Sequence, residues 1–279
     1  MSLTNKIKIT ATAALFGVAA LVGCQKMERP ALGNYVKDAN PPGGPLKFYT
    51  AFDGSDVDSI RANFALSNPL KFITGGVSGK AVQGERGKAI KYGSANDFKR
   101  ATSFTIAWWM KQTPHADGPE FLFGMADKDY WANSSLFLLI EDKGQSTTSL
   151  ATTKLYLMDQ WFEFTGANRM TGNILNGNWH HVAIAYDQTT SKLTYYVDGA
   201  ALTGLASSLT DVKNGANPRG ALNLANGGNF IVGGWNKHVG LDGPTDSWIN
   251  TYSGAMDQFR LYAKALTASE ITALYNSKL

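Results

Sequence analysis

The stretch NWHHVAIAYDQTTSKLTYYVDG, residues 178–199, reads as two paired strands with a third about to begin. Val182, Ile184 and Tyr186 alternate with His181, Ala183 and Ala185, and Leu193, Tyr195 and Val197 alternate with Thr194 and Tyr196. That period of two belongs to half-buried strands. Asp187 to Ser191 supplies the connecting turn, and Asp198-Gly199 marks a tight reversal needing positive φ, so a further strand is expected to return beside the second. Outward from this hairpin, short apolar runs recur at 48–52, 103–110, 121–125, 136–140, 154–157 and 230–232, separated by glycine, asparagine and aspartate clusters. This spacing predicts an antiparallel sandwich. Near the end, Thr267-Ala268-Ser269-Glu270 forms a capping box ahead of Ile271, Leu274 and Tyr275, which predicts one short amphipathic helix packed on the sandwich.

Several segments carry a family resemblance. Trp179-His180-His181-Val182 with Tyr186-Asp187 and then Tyr196-Val197-Asp198-Gly199 resembles the laminin-G-like, concanavalin-A-like jelly-roll family. The turn Gly76-Val77-Ser78-Gly79-Lys80-Ala81 resembles that family's early glycine turn, Ser103 to Trp109 its first long core strand, and Gly254 to Tyr262 its last. The resemblance covers roughly residues 46–279 and implies an all-β, concanavalin-A-like (laminin-G-like) jelly-roll β-sandwich with a short C-terminal helix. It also implies a fold that hosts lectins, glycan-binding modules, adhesion domains and some glycan hydrolases and lyases, so it narrows function loosely.

Residues 1–23 carry Lys6 and Lys8, an apolar stretch from Ile9 to Val22, and no acidic residue, as an export signal does. The apolar part falls short of the about 20 residues a spanning helix needs. Leu21-Val22-Gly23-Cys24 resembles a bacterial lipobox, which makes Cys24, the sole cysteine, the expected lipidation site. Gln25 in place of aspartate resembles outer-membrane sorting, on the surface or the periplasmic side. Residues 24–45 contain Pro30, Pro41, Pro42, Gly43, Gly44 and Pro45 and read as a flexible tether. Loss of the signal removes two of the 26 Lys and Arg residues and none of the 22 Asp and Glu, leaving a net charge of about +2. Nucleic-acid binding calls for a concentrated basic stripe, and the sequence has none.

Chemistry-bearing residues are sparse. By strand alternation Asp257 shares a face with Phe259 and Leu261, and a carboxylate there needs donors, a basic partner or a metal. The resemblance implies a structural calcium at that position, with Asp53 the nearest acidic candidate from the first strand; the alternative is a turn aspartate and a carboxylate tied to backbone amides. His180 and His181 point to opposite faces and read as structural, and His115 and His238 lack a zinc-type constellation. Retaining hydrolases of this fold carry carboxylates alternating on one strand, about 5 Å apart. That pattern is absent, as are the polysaccharide-lyase motifs; Glu141 and Asp142 are adjacent and so opposed on a strand, and Glu120 and Glu163 stand alone, so binding is expected rather than catalysis.

The remaining signal is aromatic. Trp131, Trp161, Trp235 and Trp248 lie in polar or glycine-rich contexts, whereas Trp108, Trp109 and Trp179 read as core. An indole plane covers the apolar face of a sugar ring while amides such as Asn236 and groups such as His238 bond its hydroxyls. The sequence therefore predicts an envelope-anchored module binding a polysaccharide or oligosaccharide. A protein-binding adhesion module, with envelope proteins as partners, and a hydrolase or lyase with an unrecognised site are the alternatives.

Overall fold

The computed structural model describes residues 43–278 except 116, 127–133, 142, 144 and 226. Cys24, Trp131 and the proposed signal and tether through residue 42 lie outside the described residues.

Seventeen strands and two α-helices are described. In chain order the strands are β1 (Leu46–Thr50), β2 (Lys71–Thr74), β3 (Lys80–Gln83), β4 (Ile90–Tyr92), β5 (Phe104–Lys111), β6 (Glu120–Ala126), β7 (Leu136–Glu141), β8 (Thr152–Leu157), β9 (Gln160–Phe164), β10 (Trp179–Asp187), β11 (Lys192–Val197), β12 (Ala200–Ala201), β13 (Lys213–Asn214), β14 (Asn217–Pro218), β15 (Asn229–Val232), β16 (Asn250–Thr251) and β17 (Ala255–Tyr262). The helices are α1 (Ser207–Thr210) and α2 (Ala268–Ser277).

The first sheet runs β12-β11-β10-β5-β17-β3-β2, with β1 also paired to β17, and the second runs β4-β15-β6-β7-β8-β9. All pairings are antiparallel except that of β16 with β6. The hairpin that the opening stretch predicts is β10–β11, paired from Val182↔Val197 to Asp187↔Lys192. Asp198 and Gly199 take φ values of 51° and 79°, and β12 returns against β11 as the reversal requires. The Asp198 carboxylate also accepts the backbone N–H of His181 (2.9 Å) and lies 2.8 Å from His180 Nδ1, so it ties the turn to the strand below.

The two inner faces meet in one apolar core. Phe48, Trp108, Ile184 and Phe259 come from the first sheet, and Phe123, Leu138, Leu155 and Phe230 from the second. Phe259 sits at its centre, with ring centroids 5.4 Å from Phe123, 5.6 Å from Phe230 and 6.2 Å from Trp108. The outer face of the first sheet is covered by α2. The predicted capping box is present: Glu270 N–H donates to Thr267 Oγ1 (3.3 Å) and Thr267 N–H donates to Glu270 Oε2 (2.8 Å). The helix seats Ile271, fully buried, beside Ala107, Ala183 and Tyr262, and stacks Tyr275 on Trp109 at 5.5 Å. His181 lies in the same layer, 5.2 Å from Trp109; burial, helped by the Arg260 charge, pushes its pKa down to about 4, so it packs as a neutral ring.

Strand β17 departs from the simple alternation. Asp257 pairs with Trp109 while Arg260 pairs with Ala107, so β17 holds one extra residue at Gln258, whose φ is 49°. This bulge reverses the face expected for Asp257. Met256, Phe259 and Leu261 point into the core, whereas Asp257 shares the outward parity of Trp109 and Arg260.

Candidate functional site

The outer face of the second sheet carries a layer of rings. Registers of four strands line up Trp161 with Tyr156, Tyr156 with Phe137, and Phe137 with Gly124. Phe137 stacks on Tyr156 at 4.9 Å and 9°, and Trp161 packs edge-on against both at 5.3 and 5.1 Å. Such cross-strand aromatic pairs stabilise a sheet by about 0.2–1 kcal/mol each. Gly124 leaves a flat place on the sheet, and the Trp235 indole lies over it, 3.4 Å from where a Cβ would stand. Phe121 completes the layer, 5.7 Å from Phe137, 5.0 Å from Trp235 and 6.4 Å from Trp248.

Two of these indoles reach solvent. Trp161 is 40% exposed and Trp248 42%, at opposite margins of a floor made by Phe121, Phe137, Tyr156 and Trp235. Trp235 differs from expectation, being fully buried, because the segment after β15 folds over the sheet face. Asn236 is buried with it and donates through Nδ2 to Asp242 O at 2.8 Å. His238 is half-buried, and its Nδ1 accepts the Trp235 N–H at 3.0 Å; burial and then the Lys237 charge lower its pKa to about 4. Asn236 and His238 thus hold the loop that seats Trp235, rather than presenting free groups to a ligand.

A polar rim adjoins the rings, and the sequence reading missed it. Lys154 on β8 lies between Glu141 on β7 and Glu163 on β9, with Nζ 2.9 Å and 3.3 Å from their carboxylates. All three share the outward parity of Tyr156 and Trp161. Burial works against the ammonium, but the hydrogen bonds to Glu141 and Glu163 prevail and raise its pKa. The two glutamates therefore do converge, as a hydrolase would require, yet Lys154 fills the space between them. An ion-pair triad of this kind offers donors and acceptors to sugar hydroxyls; an acid–nucleophile pair needs that space for the scissile bond.

A depression of about 230 Å³ opens elsewhere between Ile73, Gln83, Lys111, Thr113, Gly177 and Gly254. Behind it the buried Glu120 accepts from Gln112 Nε2 (3.0 Å) and lies 2.5 Å from His115 Nε2. It offers polar groups and no aromatic plane.

The two predicted metal ligands meet at one turn. Asp257 Oδ2 accepts the N–H groups of Val77 (2.7 Å) and Ser78 (3.3 Å), and Asp53 Oδ1 accepts that of Lys80 (3.0 Å). Gly76 has no alternative there, since a Cβ would lie 2.5 Å from Lys80 O and 2.8 Å from Asp257 Oδ2. Asp257 is fully buried, its Oδ1 has no hydrogen-bond partner, and burial pushes its carboxyl up to about 6 against the pull of the Ser78 and Val77 amides. Among the described residues no group of three or more His, Cys, Asp and Glu side chains surrounds such a position.

The two-sheet body with an aromatic outer face defines a class. The family model described as the concanavalin A-like lectin/glucanases superfamily, in its laminin-G form, matches residues 84–272. The chain belongs to that superfamily. Among solved structures it is similar to domain 4 of AbnA, a GH43 extracellular arabinanase from Geobacillus stearothermophilus in complex with arabinotriose, at 16% identity and a TM-score of 0.51, covering 82% of this chain and 98% of that one. It is also similar to the binding domain of Paraclostridial Mosquitocidal Protein 1 (15% identity, TM-score 0.55) and to the receptor-binding domain of botulinum neurotoxin type G (11%, 0.53). In both cases 84% of this chain matches about half (52%) of the other. No curated protein matches the chain.

Proposed function

We propose that the domain binds glycan chains across the outer face of its second sheet, without cleaving them, and holds them at the cell envelope through a lipid on Cys24. The observation that carries the binding reading is the pair of half-exposed indoles, Trp161 and Trp248, set at either side of a rigid aromatic floor with the Glu141–Lys154–Glu163 triad beside it. Sugar rings stack on such planes while the charged rim bonds their hydroxyls. Support also comes from the neighbours of this fold, among them the arabinanase domain solved with arabinotriose. A glycan array followed by calorimetry tests the proposal, with a reducing-sugar assay on every retained glycan. Retention without sugar release is expected; an empty array defeats the binding reading, and released sugar defeats the non-catalytic one.

For the anchor, metabolic labelling with palmitate is expected to tag the wild-type chain in a bacterial host and to leave Cys24→Ala untagged. A labelled Cys24→Ala chain would refute it.

The Gly76–Lys80 turn also suits calcium. The partnerless Oδ1 of Asp257 is a hard oxygen in want of a cation, with Asp53 and backbone carbonyls as the remaining donors; bound there, the ion would tie β17 to the turn. The metal-free carboxyl prefers its proton, being near 6 when folded against an ordinary value of 3.8, so the metal-free fold loses stability as pH rises through that range. Calcium opposes this loss above pH 6 and competes with the proton below it. At one hundred times its Kd, calcium is expected to raise the melting temperature by about 8 °C at pH 7.5. The effect should fade at pH 5 and vanish in Asp257→Asn. A melting temperature indifferent to chelator at pH 7.5 would rule the metal out.

A further inference from the structure

We propose that the loop between β1 and β2 is a membrane-docking surface that inserts Phe64 and Leu66 into an anionic phospholipid bilayer. Both side chains are 67% exposed, the two most exposed large apolar residues among those described. Their exposure is imposed by a rigid frame. The fully buried Asp58 accepts the N–H groups of Tyr49 (2.8 Å), Ile60 (3.1 Å) and Arg61 (3.1 Å) and the Asn96 amide (2.7 Å). Asn63 donates to Ser94 O (3.2 Å) and Asn96 Oδ1 (3.3 Å), and Leu66 N–H donates to Lys91 O at 2.7 Å. Ala65, between the two exposed residues, packs on the core. The loop therefore has no inward position for Phe64 and Leu66 while its frame holds.

Two further observations choose the occupant. The segments stitched to this loop supply five cations, Lys47, Arg61, Lys91, Lys99 and Arg100, against four carboxylates, Asp56, Asp58, Asp97 and Asp53, the last of which accepts the Lys80 N–H at 3.0 Å. Asp58 is sealed inside and Asp97 is occupied by Arg61 (2.5 Å) and Arg100 (4.0 Å), whose own side chains remain 61% and 80% exposed. An apolar pair beside surplus exposed cations suits the boundary between acyl chains and anionic headgroups. The chain also enters the domain on this side. Gly43, the first described residue, lines one depression of about 130 Å³ with Ile60, Arg61 and Asp97. A lipid on Cys24 would deliver the tether to this side; that part rests on the anchor reading, whereas the loop geometry does not. A single anchor leaves a tethered domain free to tumble, and a second membrane contact fixes which way it faces.

The test uses the mature chain from residue 24 with Cys24→Ser, so that no acyl chain contributes, in sedimentation with vesicles of phosphatidylethanolamine and phosphatidylglycerol (3:1) and of phosphatidylcholine alone. Binding to the anionic vesicles is expected, at least tenfold stronger than to the neutral ones at 50 mM salt and weakened at 500 mM. Phe64→Ser/Leu66→Ser should lower the partition at least tenfold, with the melting temperature and glycan affinity unchanged; Trp161→Ala should leave it intact. The proposal is overturned if the chain ignores both vesicles, if the double variant binds as well as the parent, or if the same loop instead captures a protein while vesicles are ignored. Vesicle binding alongside an empty glycan array would sink the glycan reading and leave this one standing.

Discussion

Trp235→Ala is expected to lower the melting temperature by about 12 °C, the largest loss among changes to the aromatic face. Deleting a sealed indole costs about 3–5 kcal/mol, partly in transfer and partly in the void left behind, and a domain of this size shifts by about 2–4 °C per kcal/mol. The void opens under two rings at once, because Phe121 and Phe137 both contact the indole at 5.0 Å. Phe121 is also the ring beneath Trp248, so glycan affinity should fall together with stability. Trp235→Phe should recover about half of the loss. Calorimetric melting of the three proteins settles the matter: a shift within 1 °C for the alanine variant would mean that this indole is not the keystone of the layer.

Trp161→Ala and Trp248→Ala should behave in the opposite way. Each indole is about two-fifths exposed and packs through its edge or one side, so truncation should move the melting temperature by no more than about 2 °C. Affinity for a glycan retained on the array should fall about 30-fold for each, the roughly 2 kcal/mol expected of a tryptophan hot spot. Titration calorimetry on folded protein makes the comparison. Unchanged affinity in both would move the binding surface elsewhere, with the 230 Å³ depression beside Lys111 the next place to look.

The architecture was readable because local signals agreed with one another. The alternation in Val182–Tyr186 and Leu193–Val197, the Asp198-Gly199 reversal and the Thr267–Glu270 capping box each depend on residues close in sequence, and all three form as expected. The site was readable only in part. Trp161 and Trp248 reach solvent, but Trp235 is sealed by its own loop, and no periodicity reports that a sheet has a second covered face. Asp257 turned outward because a single extra residue at Gln258 resets the alternation of β17, which a pattern of apolar residues does not mark. The grouping of Glu141, Lys154 and Glu163 depends on the registers of β7, β8 and β9 and becomes visible only when the strands are laid side by side.

The pairing of β1 with β17 sets Leu46 beside Tyr262 and Thr50 beside Phe259, at the two extremes of the domain sequence. The central sheet cannot close until nearly the last strand has arrived, and contacts so distant along the chain make for slow folding. A polypeptide threading through a translocation pore from its N-terminus would carry β1 unpaired for most of the passage. The timetable of assembly would then be set by the emergence of the final thirty or so residues, and an export machine would receive a chain still loose enough to transport.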